Sequence, residues 1–199
     1  MEIGAVILAG GQSRRMGRDK ALLPWMESTF LERLCRELRG FPELLISVRR
    51  EEDRRRMQGC AGLRLVEDRY PDCGPLGGLH AALCATRYDA LLAISCDLPY
   101  FDRKAALWLC AQLRPEDRAL AAEDAAGRLQ PLCAVYRKTA AADLERQLQA
   151  GNFRLRTALE QLQPRAVSLA WGGFSDAVVT NVNTPEEYAR LWESAAFDR

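Results

Sequence analysis

The feature that most constrains the fold is alternation: short β-rich apolar runs recur along the chain, separated by segments with helical periodicity or by polar loops. Ile3 to Leu8 is the first such run, and it breaks at Ala9-Gly10-Gly11 into a basic loop ending near Lys20. From Thr29, residues Leu31, Leu34, Cys35 and Leu38 fall on one helical face, with Thr29 and Glu32 spaced as a capping box and Gly40 as a stop. Further strands are expected at Leu44 to Val48, Leu63 to Val66, Ala90 to Ser95, Pro131 to Tyr136 and Ala177 to Val182. Helices are expected at Leu76 to Ala85, from Asp102 through Leu113, at Lys138 to Gln149 and Leu155 to Leu162, and after the Thr184-Pro185-Glu186-Glu187 cap. Strands alternating with helices imply crossover connections, so the expected architecture is a three-layer α/β sandwich around a mainly parallel, Rossmann-like sheet.

The 199 residues read as one domain, 1–199, at about 150 residues per domain, with no internal repeat or linker. Apolar runs such as Ala90 to Ile94 fall far short of the ~18 to 20 residues of a membrane span, and the start has no basic leader; a soluble, cytoplasmic protein is expected. Lys and Arg number 28 against 27 Asp and Glu, a net charge of +1, which argues against nucleic acid or a membrane surface as partner. A single histidine, His80, rules out a His-rich metal site and leaves any Ser-His-Asp or Cys-His hydrolase only one base. Beside Leu79 and Leu83 in a helical pattern, His80 reads as a packing residue. Seven cysteines without a C-x-x-C pair make neither a disulfide framework nor a zinc ribbon, and they read as small hydrophobes of a reducing cell.

In open α/β sheets ligands bind beyond the carboxyl ends of the strands. The loop from Leu8 to Lys20 places three glycines, three arginines and a lysine there. Glycines let backbone amides approach a phosphate, while Arg and Lys supply forked and compact positive charge, so a polyphosphate is the natural ligand. The loop is neither a Walker A sequence nor a G-x-G-x-x-G dinucleotide turn; the plainer alternative is a solvated basic loop. Asp97 stands where the run Leu91 to Ser95 stops, a position suited to Mg²⁺, which takes one or two carboxylates and completes its shell with phosphates and water. Taken alone, Asp97 could as well be a turn residue.

Together these segments resemble the MobA-type molybdenum cofactor guanylyltransferases of the nucleotidyltransferase superfamily. The resemblance rests on L-A-G-G-x-S-R-R-M-G-x-D-K at Leu8 to Lys20, Glu67-Asp68, Gly74-Pro75-Leu76-Gly77-Gly78, Cys96-Asp97-Leu98-Pro99, Gln130-Pro131-Leu132 and Asn181-Val182-Asn183-Thr184-Pro185-Glu186-Glu187. It implies transfer of GMP from GTP to molybdopterin or its molybdenum-loaded form, with Mg²⁺ as cofactor and release of pyrophosphate. Such chemistry needs no protein nucleophile, in keeping with a histidine-poor chain. By motif, Leu8, Ala9 and Gly10 would contact the nucleotide through their backbone, Lys20 its phosphates, Asp68 the nucleoside, and Asp97 the metal and GTP. Arg14 and Arg15 would steady the leaving pyrophosphate. Asn181 and Asn183 are candidates for the acceptor or a second oxygen on the metal, and Arg154 and Arg156 for the pterin phosphate or, alternatively, an exposed helix start. Ser47 stands where related sequences often carry an Asn that touches the nucleotide; it is shorter and lacks the amide donor. Molybdoenzymes and other cofactor-assembly proteins are the implied further partners. The alternatives are a cytidylyl- or sugar-phosphate nucleotidyltransferase and a non-catalytic carrier of nucleotide or cofactor. The arginine-rich stretch Arg49 to Arg56 is internally compensated by three acids and reads as a solvated helix face.

Overall fold

The computed structural model describes residues 1–10, 19–49 and 63–197. A seven-stranded sheet forms its centre, in the order β5 (Arg64–Glu67), β4 (Leu44–Val48), β1 (Gly4–Leu8), β6 (Ala90–Ser95), β8 (Leu129–Arg137), β7 (Ala119–Glu123) and β9 (Arg165–Ser168). Only β8 runs against its neighbours β6 and β7; the remaining pairings are parallel. A two-stranded hairpin, β2 (Pro24–Trp25) and β3 (Ser28–Thr29), stands apart from this sheet.

Side-chain alternation along the strands produces the layers. In β1, Ala5 and Ile7 point to one face, where α1 (Phe30–Glu37) and α3 (Arg103–Ala111) supply Leu31, Leu34, Ala105, Ala106 and Leu109. Val6 and Leu8 point to the other, packing with Leu76, Leu79 and Leu83 of α2 (Gly74–Ala85), Leu144 and Leu148 of α4 (Ala141–Gln149), and Leu155 and Leu159 of α5 (Leu155–Gln161). Every residue of β1 and β6 is buried, as strands covered on both faces require. Helix starts follow their caps. Thr29 and Glu32 form the reciprocal box, Asp102 accepts from the Ala105 amide at 2.8 Å, and Thr184 accepts from the Glu187 amide at 3.2 Å at the start of α6 (Pro185–Phe197). Past α1, Gly40 adopts φ 101°, a conformation open to glycine.

One expected strand is corrected. Asp176–Val179 forms a short 3₁₀ turn, and the chain then crosses the end of the sheet, bonded to it through the Val182 amide and the Asp97 carbonyl at 3.0 Å. Both flanks of β6 are already taken, by β1 and β8, so no sheet edge is open there to pair an incoming strand. Val178 and Val179 bury instead as plugs in the α1/α3 side of the core. Arg50 to Arg56, most of the expected solvated helix face, lie outside the described residues. Among the described residues no helix is long and apolar enough to cross a membrane.

Candidate functional site

The carboxyl ends of β1, β4, β5 and β6 converge on a cavity of about 160 Å³. Leu8, Ala9, Gly10, Asp19, Lys20, Ser47, Asp68, Gly74, Pro75, Gly78, Ser95, Cys96, Asp97 and Leu132 line it, so eight of the positions singled out in the sequence meet there or one bond away. The β1 turn is held close to the neighbouring strands: the Ala9 amide donates to the Ser47 carbonyl at 3.1 Å, and the Cys96 amide to the Leu8 carbonyl at 3.3 Å. Gly10 packs closely on the end of β4: a Cβ there would lie 3.1 Å from the Arg49 amide nitrogen, a tight contact. Arg14 and Arg15 lie outside the described residues.

Lys20 enters on a short 3₁₀ turn whose start is capped by Asp19, which accepts from the Ala21 amide at 3.1 Å. Its ammonium reaches Asp97 Oδ2 at 3.0 Å and Asn183 Oδ1 at 2.7 Å. Ser95 Oγ donates to the other oxygen, Asp97 Oδ1, at 2.5 Å. Asp97 is buried, and a buried carboxylate requires this partnership with a cation and a hydroxyl. Ser95 is a residue that the sequence reading missed; the signal was a hydroxyl at the end of the strand, two positions before Asp97, where the chain turns. On the β4/β5 side, Ser47 Oγ donates to Asp68 Oδ1 at 3.1 Å.

The oxygen donors fit a hard divalent cation. Asp97 and the Asn183 side-chain oxygen lie about one ammonium apart, while among the described residues no group of three or more His, Cys, Asp or Glu could form an all-protein cage. One or two protein oxygens completed by phosphates and water is the pattern of Mg²⁺. The neighbouring thiol does not compete: burial, reinforced by Asp97 and Asp19, pushes Cys96 well above the usual thiol range, so it stays protonated.

The structure separates the remaining candidates. Asn181 lines an adjoining cavity of about 210 Å³ with Gln130, Leu98 and Leu155, which shares Pro75 and Leu132 with the first. Arg154 and Arg156 flank Leu155 at the start of α5 but line neither cavity; Arg156 pairs with Glu160 at 3.3 Å on the exposed helix surface. His80 is a packing residue, 1% exposed, with its ring edge-on to Tyr70 and its pKa lowered by burial. A larger concavity of about 710 Å³ lies beside α1, at the opposite, amino-terminal end of the strands. Among the described residues, Glu43 on its wall is engaged by Arg64, Thr86 and the Arg87 amide.

A mostly parallel sheet whose carboxyl edge gathers a glycine turn, a lysine and a hydroxyl-supported carboxylate around a cavity defines an open α/β protein with its ligand site at the strand ends. The comparisons with known proteins agree. The MobA-like NTP transferase domain matches residues 5–166. A molybdenum cofactor guanylyltransferase of Pseudomonas syringae pv. syringae is 39% identical over 185 residues, covering 90% of this chain and 88% of its own. A probable molybdenum cofactor guanylyltransferase of Pelotomaculum thermopropionicum is 34% identical over 194 residues, covering 96% and 92%. In fold, the chain resembles the crystal structure of molybdopterin-guanine dinucleotide biosynthesis protein A from Archaeoglobus fulgidus, with a TM-score of 0.85 at 22% identity, over 98% of this chain and 99% of that one. The chain belongs to the molybdenum cofactor guanylyltransferase family of MobA-like NTP transferases.

Proposed function

We propose that the protein transfers the GMP moiety of GTP to the terminal phosphate of molybdopterin, bare or molybdenum-loaded, forming the guanine dinucleotide cofactor. A phosphate oxygen of the acceptor attacks the α-phosphorus in line; the bond from that phosphorus to the oxygen bridging it to the β-phosphorus breaks, and pyrophosphate leaves with the electron pair. The observation that carries this reading is the Lys20–Asp97–Asn183 cluster at the carboxyl edge of the sheet, beside a turn built for phosphate.

In this reading Leu8, Ala9 and Gly10 hold the nucleotide through their backbone, and Asp68 takes the nucleoside. Lys20 pairs with the phosphates once GTP arrives, and Asp97 and Asn183 are the residues that would hold Mg²⁺, which would supply charge neutralisation for the triphosphate and the leaving pyrophosphate. Arg14 and Arg15 add forked donors to the same leaving group. Asn181, in the adjoining cavity, and Arg154 and Arg156 beside Leu155 receive the acceptor. Catalysis then consists of aligning two anions and offsetting their charge, with no covalent intermediate on the protein. Residues 1–199 act as one unit, in the cytoplasm, and molybdoenzymes receive the product.

The test is to incubate the protein with GTP, Mg²⁺ and molybdopterin and follow pyrophosphate release and guanylylated pterin by mass spectrometry. The expected result is product with GTP, little with CTP, and a loss of about 10²-fold or more in Asp97→Asn, the scale of removing one charge-stabilising group. Preferred consumption of CTP would make the protein a cytidylyltransferase. Tight binding of the product dinucleotide without any turnover would make it a carrier. Unchanged activity in Asp97→Asn would refute the assigned site.

A further inference from the structure

We infer that Ser47 is a positioning residue for nucleotide recognition, acting through Asp68 and not touching the nucleotide. The inference rests on the proposed role of Asp68 as the nucleoside ligand. Ser47 sits in mid-sheet, opposite Leu8 of β1 and Val66 of β5, and is 1% exposed. Its carbonyl is engaged by the Ala9 amide. A serine hydroxyl has one proton to give, and this one is donated to Asp68 Oδ1 at 3.1 Å. A hydrogen bond to a carboxylate is among the stronger ones available, and at a buried hydroxyl it selects one orientation of the carboxylate.

Gly78 closes the arrangement. A Cβ on Gly78 would lie 2.3 Å from Ser47 Oγ, 3.1 Å from Leu8 Cδ2 and 3.2 Å from Asp68 Oδ1. Helix α2 therefore rests directly on the hydroxyl and the carboxylate, and it does so because position 78 has no side chain. Hydroxyl, carboxylate and glycine form one packed unit: the strand supplies the donor, the loop after β5 the acceptor, and the helix the lid over both. A longer side chain at position 47 in this rotamer would run into α2. The short serine thus replaces a direct contact to the nucleotide with control over the residue that makes one. The half-buried Asp68 keeps its place on the cavity wall, where a carboxylate accepts hydrogen bonds from nucleoside N–H or O–H groups.

A double-mutant cycle separates this role from direct contact. GTP binding, measured by calorimetry without acceptor, is compared in wild type, Ser47→Ala, Asp68→Asn and the double variant, with KM and kcat measured for each. Ser47→Ala is expected to weaken GTP binding about 10-fold and raise KM with kcat nearly unchanged, and to have less than a twofold effect once Asp68 is Asn. Gly78→Ala, which drives the hydroxyl off Asp68 without deleting it, should weaken binding similarly and non-additively with Ser47→Ala. Effects of Ser47→Ala and Asp68→Asn that multiply would mean direct contact and overturn the inference, as would wild-type affinity in Ser47→Ala. Unchanged GTP affinity in Asp68→Asn alone would instead remove the nucleoside role of Asp68, and a wild-type protein that binds no GTP would refute the proposed function itself.

Discussion

Placing a methyl group at position 78 sets two effects of opposite sign against each other. Gly78 is the fifth residue of α2, where Gly→Ala on helix propensity alone stabilises by about 1 kcal/mol. Against this, the new Cβ would stand 2.3 Å from Ser47 Oγ, closer than any real contact, with Leu8 Cδ2 at 3.1 Å on another side. The hydroxyl can rotate away only by giving up its bond to Asp68, and overpacking of this kind costs about 1 to 3 kcal/mol, with the lost charge-assisted hydrogen bond adding about 1.5 kcal/mol or more. The net expectation for Gly78→Ala is a destabilisation of about 1 to 3 kcal/mol, since the contributions overlap. At roughly 2 to 4 °C per kcal/mol for a chain of this size, the melting temperature should fall by about 2 to 12 °C. Calorimetric melting would read it. Adding Ser47→Ala should recover at least half of the loss, because the atom in the way is gone. Gly77→Ala is the control: there the Cβ would meet the Tyr70 carbonyl oxygen at 2.9 Å, which is backbone and cannot rotate, so Ser47→Ala should not rescue it. A Gly78→Ala protein as stable as wild type would refute the close approach of α2 to the strand ends.

Two further outcomes are expected. Burial holds His80 below its ordinary pKa, with Glu145 and Arg69 pulling in opposite directions, so the unfolded chain binds more protons at mildly acidic pH. Stability is therefore complete above the unfolded value near 6.5 and declines as pH falls towards the lower folded value; His80→Leu should flatten the slope of stability between about pH 7 and 5.5, and an unchanged slope would exclude His80 as its source. Arg165 pins β9 by donating to Asp117 at 2.7 and 3.1 Å and to the Gln112 carbonyl. Although burial pushes the Asp117 carboxyl up, the hydrogen bond from Arg165 and the Arg114 amide outweigh it and hold its pKa below the usual range. Arg165→Leu should cost about 1.5 to 3 kcal/mol in urea titrations at neutral pH by leaving the carboxylate with only the Arg114 amide, and a loss under about 0.5 kcal/mol would count against the pairing.

Much of the fold was legible because its central strands are covered on both faces, which makes them short apolar runs with no polar alternation to confuse. β1, β4 and β6 are of that kind, and α1 and α6 carried their own caps. The elements that went unread are those whose identity comes from their neighbours. The β7 run Ala119–Glu123 is rich in alanine and would suit a helix; it is a strand because β8 and β9 bond to its two edges. Residues 24–29 form a hairpin only with Met26 at φ 53°, closed by the aromatic contact of Trp25 with Trp192 at 5.2 Å from the far end of the chain. The run at Ala177 shows the reverse, a strand-like composition with no edge to pair with.

The sequence by itself determined that strands and helices alternate, where the first strand breaks into a glycine-containing basic loop, and that a lysine and a carboxylate stand just past strand ends, because these depend on residue type and local spacing. Only the tertiary structure decided that Asp97 and Asn183, 77 and 163 positions from Lys20, meet on its ammonium, and that Ser95 supports Asp97. It also separated Asn183 from Asn181, although one residue lies between them, and committed the Ser47 hydroxyl to Asp68. Such pairings arise where strand order brings distant carboxyl ends together, and strand order is settled by long-range packing that no local pattern encodes.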